Sequence, residues 1–193
     1  MEDKETKKVM PFIEGEIIDL SPINLEHVNL YTKWGNDPDV RRYARNMFPW
    51  NLEEVKKWFE QQKESGKRDV TFEIWHKKDK KPIGTAGFDS INWLDRNANI
   101  FTSIGEPEYW GQGIGPEAAK LLVDYGFEEL NFHKIHACIN APNKRSLRTA
   151  EKAGLKFEAT LKEQVYIEGE YVDEVKLAIF KKDWFNSQKN LRK

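Results

Sequence analysis

YWGQGIGPEAA occupies residues 109–119, where three glycines at alternate positions lead into a segment with helical periodicity. Glycine has no Cβ, so such a loop lets backbone N–H groups approach a bulky ligand. The first N–H groups of a helix lack internal partners and carry partial positive charge, which suits phosphate or pyrophosphate. We expect Pro116 at the first helical position, where its missing N–H does little harm. A tight glycine turn without a ligand explains the same residues.

Two other known phosphate-binding loops have sequence patterns that this stretch does not match. The nucleotide P-loop ends in Gly-Lys-Ser/Thr, whereas this stretch ends in Gly-Ile-Gly-Pro. A dinucleotide fingerprint has the spacing G-x-G-x-x-G near the start of a βαβ unit, whereas here the spacing is G-x-G-x-G, well past the middle of the chain. The loop therefore indicates a different anion.

The composition sets the class of protein. The chain has 193 residues, of which 39% are hydrophobic, with a net charge of −1, which suits one domain with a substantial core. The small charge gives no field that would attract nucleic acid, and no apolar run is long enough to span a membrane. The lone Cys138 cannot form an internal disulfide, and the charged start, residues 1–8, is not a signal peptide. We expect a cytoplasmic protein with flexible tails over residues 1–12 and 187–193 around one domain, residues 13–186.

Hydrophobic periodicity predicts an α/β (α+β) domain with a largely antiparallel sheet. The helix that Asn51 caps is expected to stop at Ser65-Gly66. The strand Lys134–Ile139 is of the kind buried on both faces, which places Cys138 in the interior. The other predicted elements are strands over residues 15–20, 70–76, 82–91, 98–104, 157–167 and 171–180, and helices over residues 25–34, 38–43, 52–59, 116–130 and 143–153.

The glycine loop resembles the acetyl-CoA pyrophosphate loop of the GNAT N-acetyltransferase superfamily, R/Q-x-x-G-x-G/A, with Trp110 at the R/Q position and Gly113 and Gly115 at the small positions. A second signature, N-x-x-S, follows at Asn143 and Ser146. Taken alone, Asn143 is simply a helix N-cap; in GNAT enzymes the matching Asn bonds the pantetheine arm. The resemblance implies a GNAT fold: a mixed, mostly antiparallel central sheet with a splayed central strand pair and helices on both faces.

The same resemblance implies a binding site for acetyl-CoA. The strand ending at Ile104 and the strand starting at Lys134 should diverge, so that their free edge groups can pair with the pantetheine amides. Lys144, Arg145 and Arg148 either face the 3′-phosphate or form an ordinary solvated helix face. The residues expected to bind the pantetheine and thioester are Ser103, Ile104 and Gly105, with Asn143 and Ser146; those expected to bind the pyrophosphate are Gly111, Gln112, Gly113, Ile114 and Gly115.

The chemistry of acetyl transfer requires a polarised thioester carbonyl and a proton for the departing thiolate. We expect the N–H of Ile104 to polarise the carbonyl. Many GNAT enzymes protonate the thiolate with a Tyr, but Ala150 stands at that position here. Ser146 is the substitute that the ribosomal-protein branch suggests, although a structural role on the helix fits equally. That branch has a Glu base where this chain has Val165, so the base is not identified.

We therefore expect a GNAT acetyltransferase resembling the ribosomal-protein-serine/alanine and spermidine acetyltransferase-like branch. It would use acetyl-CoA, need no metal, and acetylate a primary amine directly. A peptide or protein α-amine is favoured, because deprotonating it at pH 7 costs roughly 1 kcal/mol against roughly 4.6 for a Lys-like amine. A polyamine or other small amine is the alternative, since carboxylates such as Glu73, Asp89, Glu106 and Glu108 could recruit it. A non-catalytic acyl-CoA sensor is the alternative of another class. The family also suggests a homodimer.

Overall fold

A computed structural model describes residues 10–44, 46–64 and 69–191. Of the flexible tail expected over residues 1–12, residues 1–9 lie outside this described part of the chain, as does the helix stop expected at Ser65-Gly66. The sheet has eight strands, in the spatial order β1-β2-β3-β4-β5-β6-β8-β7. The strands are β1 Ile13–Glu14, β2 Ile18–Pro22, β3 Val70–His76, β4 Lys81–Asn92, β5 Asn97–Ile104, β6 Lys134–Asn140, β7 Lys156–Ile167 and β8 Glu170–Phe180.

Within the described residues, six α-helices accompany the sheet, with short 3-10 turns at Leu25–His27 and Pro107–Tyr109. Asn51 caps the third helix as expected, because its Oδ1 accepts from the N–H of Glu54 at 2.9 Å. Gly154, with φ +93°, lies just beyond the end of the fifth, where a left-handed residue commonly follows a helix. The helices are α1 Val28–Asn36, α2 Pro38–Ala44, α3 Leu52–Glu64, α4 Ile114–Glu128, α5 Lys144–Lys152 and α6 Lys181–Leu191.

Helices cover both faces of the sheet, as the sequence predicts for the GNAT fold. Successive strand residues point to opposite faces. Ile74 on β3 belongs to the main core with Leu122 of α4, whereas its neighbour Glu73 bonds Tyr31 of α1 on the opposite face. A second apolar cluster joins α1 and α3 through Val28, Tyr31, Trp34, Val55 and Phe59.

The β5–β6 pair is the feature that shapes the site. It is the one parallel pair in this otherwise antiparallel sheet of the described residues, and it is hydrogen-bonded only from Asn97–Lys134 to Asn99–His136. Beyond that point β5 continues to Ile104 and β6 to Asn140 without pairing with each other, although β5 stays paired with β4 and β6 with β8. The predicted splayed central pair is therefore confirmed.

Two sequence-based expectations are wrong. Cys138 is not buried in a strand covered on both faces: it is exposed, because Ala137 and Ile139 point into the main core and Cys138, between them, points to the opposite face. Pro116 is the third residue of α4 rather than the first, since the helix begins at Ile114 after a Gly113 cap.

The domain boundaries given by the sequence can be compared with the ordered elements. Phe12 donates its N–H to the Leu20 oxygen at 2.9 Å and stacks on Phe72. Helix α6 runs to Leu191, five residues past the expected domain end at residue 186. Its Trp184 donates to Asp124 of α4 at 2.6 Å. The single-domain boundaries 13–186 themselves stay a prediction.

Candidate active site

The glycine loop forms an open cradle at the start of α4. Gly111 and Gly113 have φ of +80° and +86°, a conformation that side-chain-bearing residues rarely adopt, and a Cβ added at either would meet no atom within 4 Å. Helix α4 then offers the N–H groups of Ile114 and Gly115, while Pro116 offers none. The N–H of Glu117 is already bonded to the Gly113 oxygen. Space, free N–H groups and the helix dipole together fit a phosphate or pyrophosphate group.

The edge of β5 beside this cradle presents backbone groups to the gap. Gly105 donates its N–H to Ile83 on β4 at 2.9 Å. Because successive strand residues direct their backbone groups to opposite edges, the N–H and C=O of Ile104 face the gap toward β6. The Ile104 oxygen accepts from Trp110 Nε1 at 2.9 Å. The Ile104 N–H thus has the orientation that polarising a bound carbonyl requires.

A cavity of about 830 Å³ fills the splay, a size typical of sites for small molecules and cofactors. It runs from the glycine loop past the β5 edge to a far end at Asp89, Asn99 and Cys138. Its lining includes eight of the predicted cofactor residues, namely Ser103, Ile104, Gly111, Gly113, Ile114, Gly115, Asn143 and Ser146.

Two predicted cofactor residues do not line this cavity. Gly105 is buried, its N–H is bonded to Ile83, and a Cβ there would lie 2.2 Å from the Trp34 ring. Gln112 turns its amide back to the Glu108 oxygen at 2.7 Å. Gly105 contributes to the packing at the end of β5, and Gln112 contributes to the shape of the glycine loop.

Helix α5 starts at the other side of the cavity. Asn143 caps it, because its Oδ1 accepts from the Ser146 N–H at 3.1 Å, which leaves Nδ2 as a donor. Ser146 is half-buried and lines the cavity, whereas Ala150 brings no acid. The N-cap reading and the ligand-binding reading of Asn143 are therefore compatible, since they use different atoms of one amide.

Positive charge gathers at the cofactor end. The guanidinium of Arg145 lies 4.1 Å from the centre of the Trp110 ring, a cation–π contact. A smaller cavity of about 250 Å³ adjoins this stack and is lined by Arg42, Lys144 and Arg148 among others. Such a group of cations fits an additional phosphate.

Carboxylates also line the large cavity: Asp39 on α2, which borders the smaller cavity as well, Asp89 on β4 and Glu174 on β8. Glu73 is fully buried against Tyr31 and His27, and Glu106 is bonded to Lys33 and Trp34. Of the four carboxylates that the sequence suggested for recruiting an amine, Asp89 is the one that lines this cavity; Glu73, Glu106 and Glu108 do not.

Cys138 faces the cavity from β6. Partial desolvation within the cavity raises the pKa of its thiol, and the nearby Glu174 raises it further. A thiol with a raised pKa is a poor nucleophile at neutral pH. This environment favours direct transfer over an acetyl-cysteine intermediate.

Several residues of the site had only a weak signal in the sequence. Trp110 was recognised by its place in the motif, but its bond to Ile104 depends on how the loop folds back. Asp89 and Asn99 stand in ordinary strand patterns, and they meet because β4 and β5 pair at that register. Among the described residues, no group of three His, Cys, Asp or Glu side chains could hold a metal ion. No helix in the same part of the chain is long and apolar enough to cross a membrane.

Comparison with known proteins identifies the family. Residues 18–156 match the family described as Acetyltransferase (GNAT) domain. The chain belongs to the GNAT acetyltransferase family. The predicted GNAT family and fold are thus confirmed, with the cradle at α4 and the splayed strands as its structural counterparts.

The GNAT chain is similar to several acetyltransferases. It is 32% identical over 111 residues to spermidine N(1)-acetyltransferase of Escherichia coli K12, a match that spans 58% of this chain and only 59% of that relative. It is 25% identical to the uncharacterized N-acetyltransferase p20 of Bacillus licheniformis, over 91% of this chain and 99% of that one. Its fold resembles spermidine N-acetyltransferase from Vibrio cholerae, solved with CoA and spermine, with a TM-score of 0.81, 22% identity, and coverage of 89% of this chain and 99% of that chain.

Proposed function

We propose that this protein transfers the acetyl group of acetyl-CoA directly to a primary amine, and that its acceptor is a small polycationic amine of the polyamine type. The observation that carries the proposal is the single cavity that joins a pyrophosphate-type cradle to a gap with carboxylates on its walls. The spermidine acetyltransferases among the relatives support the acceptor class.

The cofactor would bind mainly through backbone groups. The N–H groups of Ile114 and Gly115 would hold the pyrophosphate, with Gly111 and Gly113 leaving it room. The pantetheine amides would pair with the free edge of β5, as an added strand does. Asn143 Nδ2 would donate to the same arm, and Arg145 and Arg148 would meet the 3′-phosphate.

The transfer itself would be one substitution at the thioester carbonyl. The amine nitrogen attacks the carbonyl carbon, the C–S bond breaks, and the Ile104 N–H stabilises the charge on the carbonyl oxygen. Ser146 would give its proton to the departing sulfur and regain one from water. The amine loses its proton to a carboxylate of the cavity, for which Asp89 and Glu174 are the candidates, or to water.

The carboxylates that line the cavity favour a polyamine over a peptide α-amine as the acceptor. A polyamine carries several ammonium groups at pH 7, and Asp39, Asp89 and Glu174 give it anionic partners inside the cavity. A peptide α-amine is the second candidate. It is favoured by one observation: Ala150 and the fully buried Val165 supply neither an acid nor a base at the positions where the family resemblance would place them, and an α-amine needs less help to lose its proton.

An acceptor screen tests the proposal. Wild-type protein is mixed with acetyl-CoA and with spermidine, spermine, Ser- and Ala-initiated peptides or amino sugars, and free thiol is followed. Release with polyamines supports the proposal, release with peptides alone moves the acceptor to the second candidate, and release with none contradicts acetyl transfer.

A matched pair of variants locates the polyamine. Glu174→Gln is expected to raise KM for spermidine about tenfold, the effect of one charge-assisted contact, with KM for acetyl-CoA unchanged. Glu170→Gln on the same strand, exposed at the hairpin turn, serves as control. Equal KM values for spermidine in the two variants would remove Glu174 from the acceptor site. A homodimer, a cytoplasmic location and the absence of nucleic-acid, membrane and metal partners stay predictions.

A further inference from the structure

The parallel pairing of β5 and β6 stops after Asn99–His136, although both strands continue. In a parallel pair, every second residue directs its backbone groups at the neighbouring strand. Continued by one step, the ladder would join the Cys138 N–H to the Ile100 oxygen. The pairing ends before that step, and the cavity begins there. The Cys138 N–H therefore needs a hydrogen-bond acceptor other than the Ile100 oxygen.

A side chain takes this bond. Asn99 Oδ1 accepts from the Cys138 N–H at 3.2 Å. The Nδ2 of the same amide donates to both carboxylate oxygens of Asp89, at 3.1 and 3.0 Å. The orientation of the amide is unambiguous, because an N–H can only donate and an ionised carboxylate can only accept. Asp89 thus holds Asn99 in the position where its Oδ1 accepts from the Cys138 N–H, in place of the Ile100 oxygen.

We propose that Asn99, held by Asp89, is a positioning residue that keeps β5 and β6 apart and sets the depth of the channel for the thioester arm. This Asn99 wedge rests on the proposed function, since the arm is that of acetyl-CoA. All three residues of the wedge, Asp89, Asn99 and Cys138, line the far end of the cavity.

The consequence concerns the free edge of β5. As long as Asn99 Oδ1 accepts from the Cys138 N–H, the Ile100 oxygen, the backbone groups of Thr102 and the Ile104 N–H remain available to a ligand. Without the wedge, β5 and β6 can form at least one more backbone hydrogen bond, from the Cys138 N–H to the Ile100 oxygen. This bond would shorten the channel from its far end. The phosphate cradle at the opposite end, around Gly113, is unaffected.

This asymmetry gives the test. Calorimetry compares the binding of CoA with that of adenosine 3′,5′-bisphosphate, which lacks the pantetheine arm. In Asn99→Ala, the CoA affinity is expected to fall about tenfold or more, the effect of losing a hydrogen bond to a charged group, with the affinity for the bisphosphate unchanged. Asn97→Ala, in the paired part of the same strand and on the same face, is expected to bind both ligands within twofold of wild type.

A swap of the two side chains separates positioning from a general loss of structure. Asn99→Asp alone places two carboxylates side by side and should weaken CoA binding. Combined with Asp89→Asn, it restores a donor facing a carboxylate and an acceptor for the Cys138 N–H, so affinity should return to within about threefold of wild type. If Asn99→Ala does not fold, the comparison of Asn99→Asp with the swapped pair decides by itself.

The outcomes separate the wedge from the function on which it rests. Equal CoA affinity in wild type and Asn99→Ala, or equal losses for CoA and the bisphosphate, overturns the wedge. A folded swapped pair no better than Asn99→Asp overturns it as well. If wild-type protein fails to bind CoA at all, the proposed function is overturned instead.

Discussion

The indole Nε1 of Trp110 donates a hydrogen bond of 2.9 Å to the main-chain oxygen of Ile104. This bond closes the loop between the end of β5 and the glycine cradle, and it fixes the distance between the two halves of the cofactor site. The Arg145 guanidinium rests on the same ring, so Trp110 also connects the cradle to α5.

Trp110→Phe keeps an aromatic ring for Arg145 but removes the donor. We expect CoA to bind about fivefold more weakly, since a neutral hydrogen bond contributes about 1 kcal/mol. Isothermal titration measures the change. Trp58→Phe, on the half-exposed face of α3, is the control. Unchanged CoA affinity in Trp110→Phe would show that the bond to Ile104 does not organise the cradle.

Ser146→Ala separates chemistry from binding. Because the side chain lines the cavity while its own N–H makes the cap to Asn143, the variant should fold and bind CoA normally. As a general acid, Ser146 would be worth roughly 10²-fold in kcat. Stopped-flow thiol release gives the rate, with Ser187→Ala on α6 as control. An unchanged kcat assigns Ser146 a structural role, and a wild-type protein that binds CoA tightly without turnover would indicate a sensor.

His136 predicts a pH dependence of stability. Burial first, and then the charges of Lys176 and Lys134, lower its pKa from 6.5 to about 4, while Glu158 acts in the opposite sense. The unfolded chain therefore takes up the proton first as pH falls, so the free energy of unfolding decreases below pH 6.5. His136→Gln should be relatively more stable by about 1 kcal/mol at pH 5, after discounting for the partly solvated ring, and gain nothing from this source at pH 8. Urea melts at the two pH values measure this; a difference of the same size at both would contradict it.

Glu117 predicts a long-range effect on stability. Its Oε1 accepts from the N–H groups of Glu16 and Ile17, at 2.5 and 2.9 Å, which joins α4 to the β1–β2 turn. Glu117→Ala leaves these donors without their carboxylate, and we expect a loss of about 1–3 kcal/mol. Glu128→Ala, exposed near the other end of α4, should cost less than about 0.5 kcal/mol. Equal midpoints in urea for the two variants would argue against the link.

The sequence predicted the local structure of the candidate site wherever a rule on adjacent residues applied. Asn143 caps α5 because an Asn before a helix satisfies a free N–H, and the glycine loop opens because Gly111 and Gly113 tolerate positive φ. Both features depend on only a few adjacent residues.

The parts that the sequence did not predict depend on distant contacts. Cys138 has the pattern of a buried strand, yet its side chain is exposed on the face of β6 opposite the main core. Pro116 fits either the first or the third position of a helix, because neither needs an N–H bond. The Asp89–Asn99 pair requires the β4–β5 register, which no local pattern fixes.

The contact between Glu117 and the β1–β2 turn has a practical consequence for protein production. The family match begins at residue 18. A protein shortened to that boundary would lack Glu16 and Ile17, whose N–H groups donate to the Glu117 carboxylate. The first turn of the helix that cradles the phosphate would then lose its anchor. A truncated protein with poor cofactor affinity would reflect where it was cut, and not the catalytic capacity of the native chain.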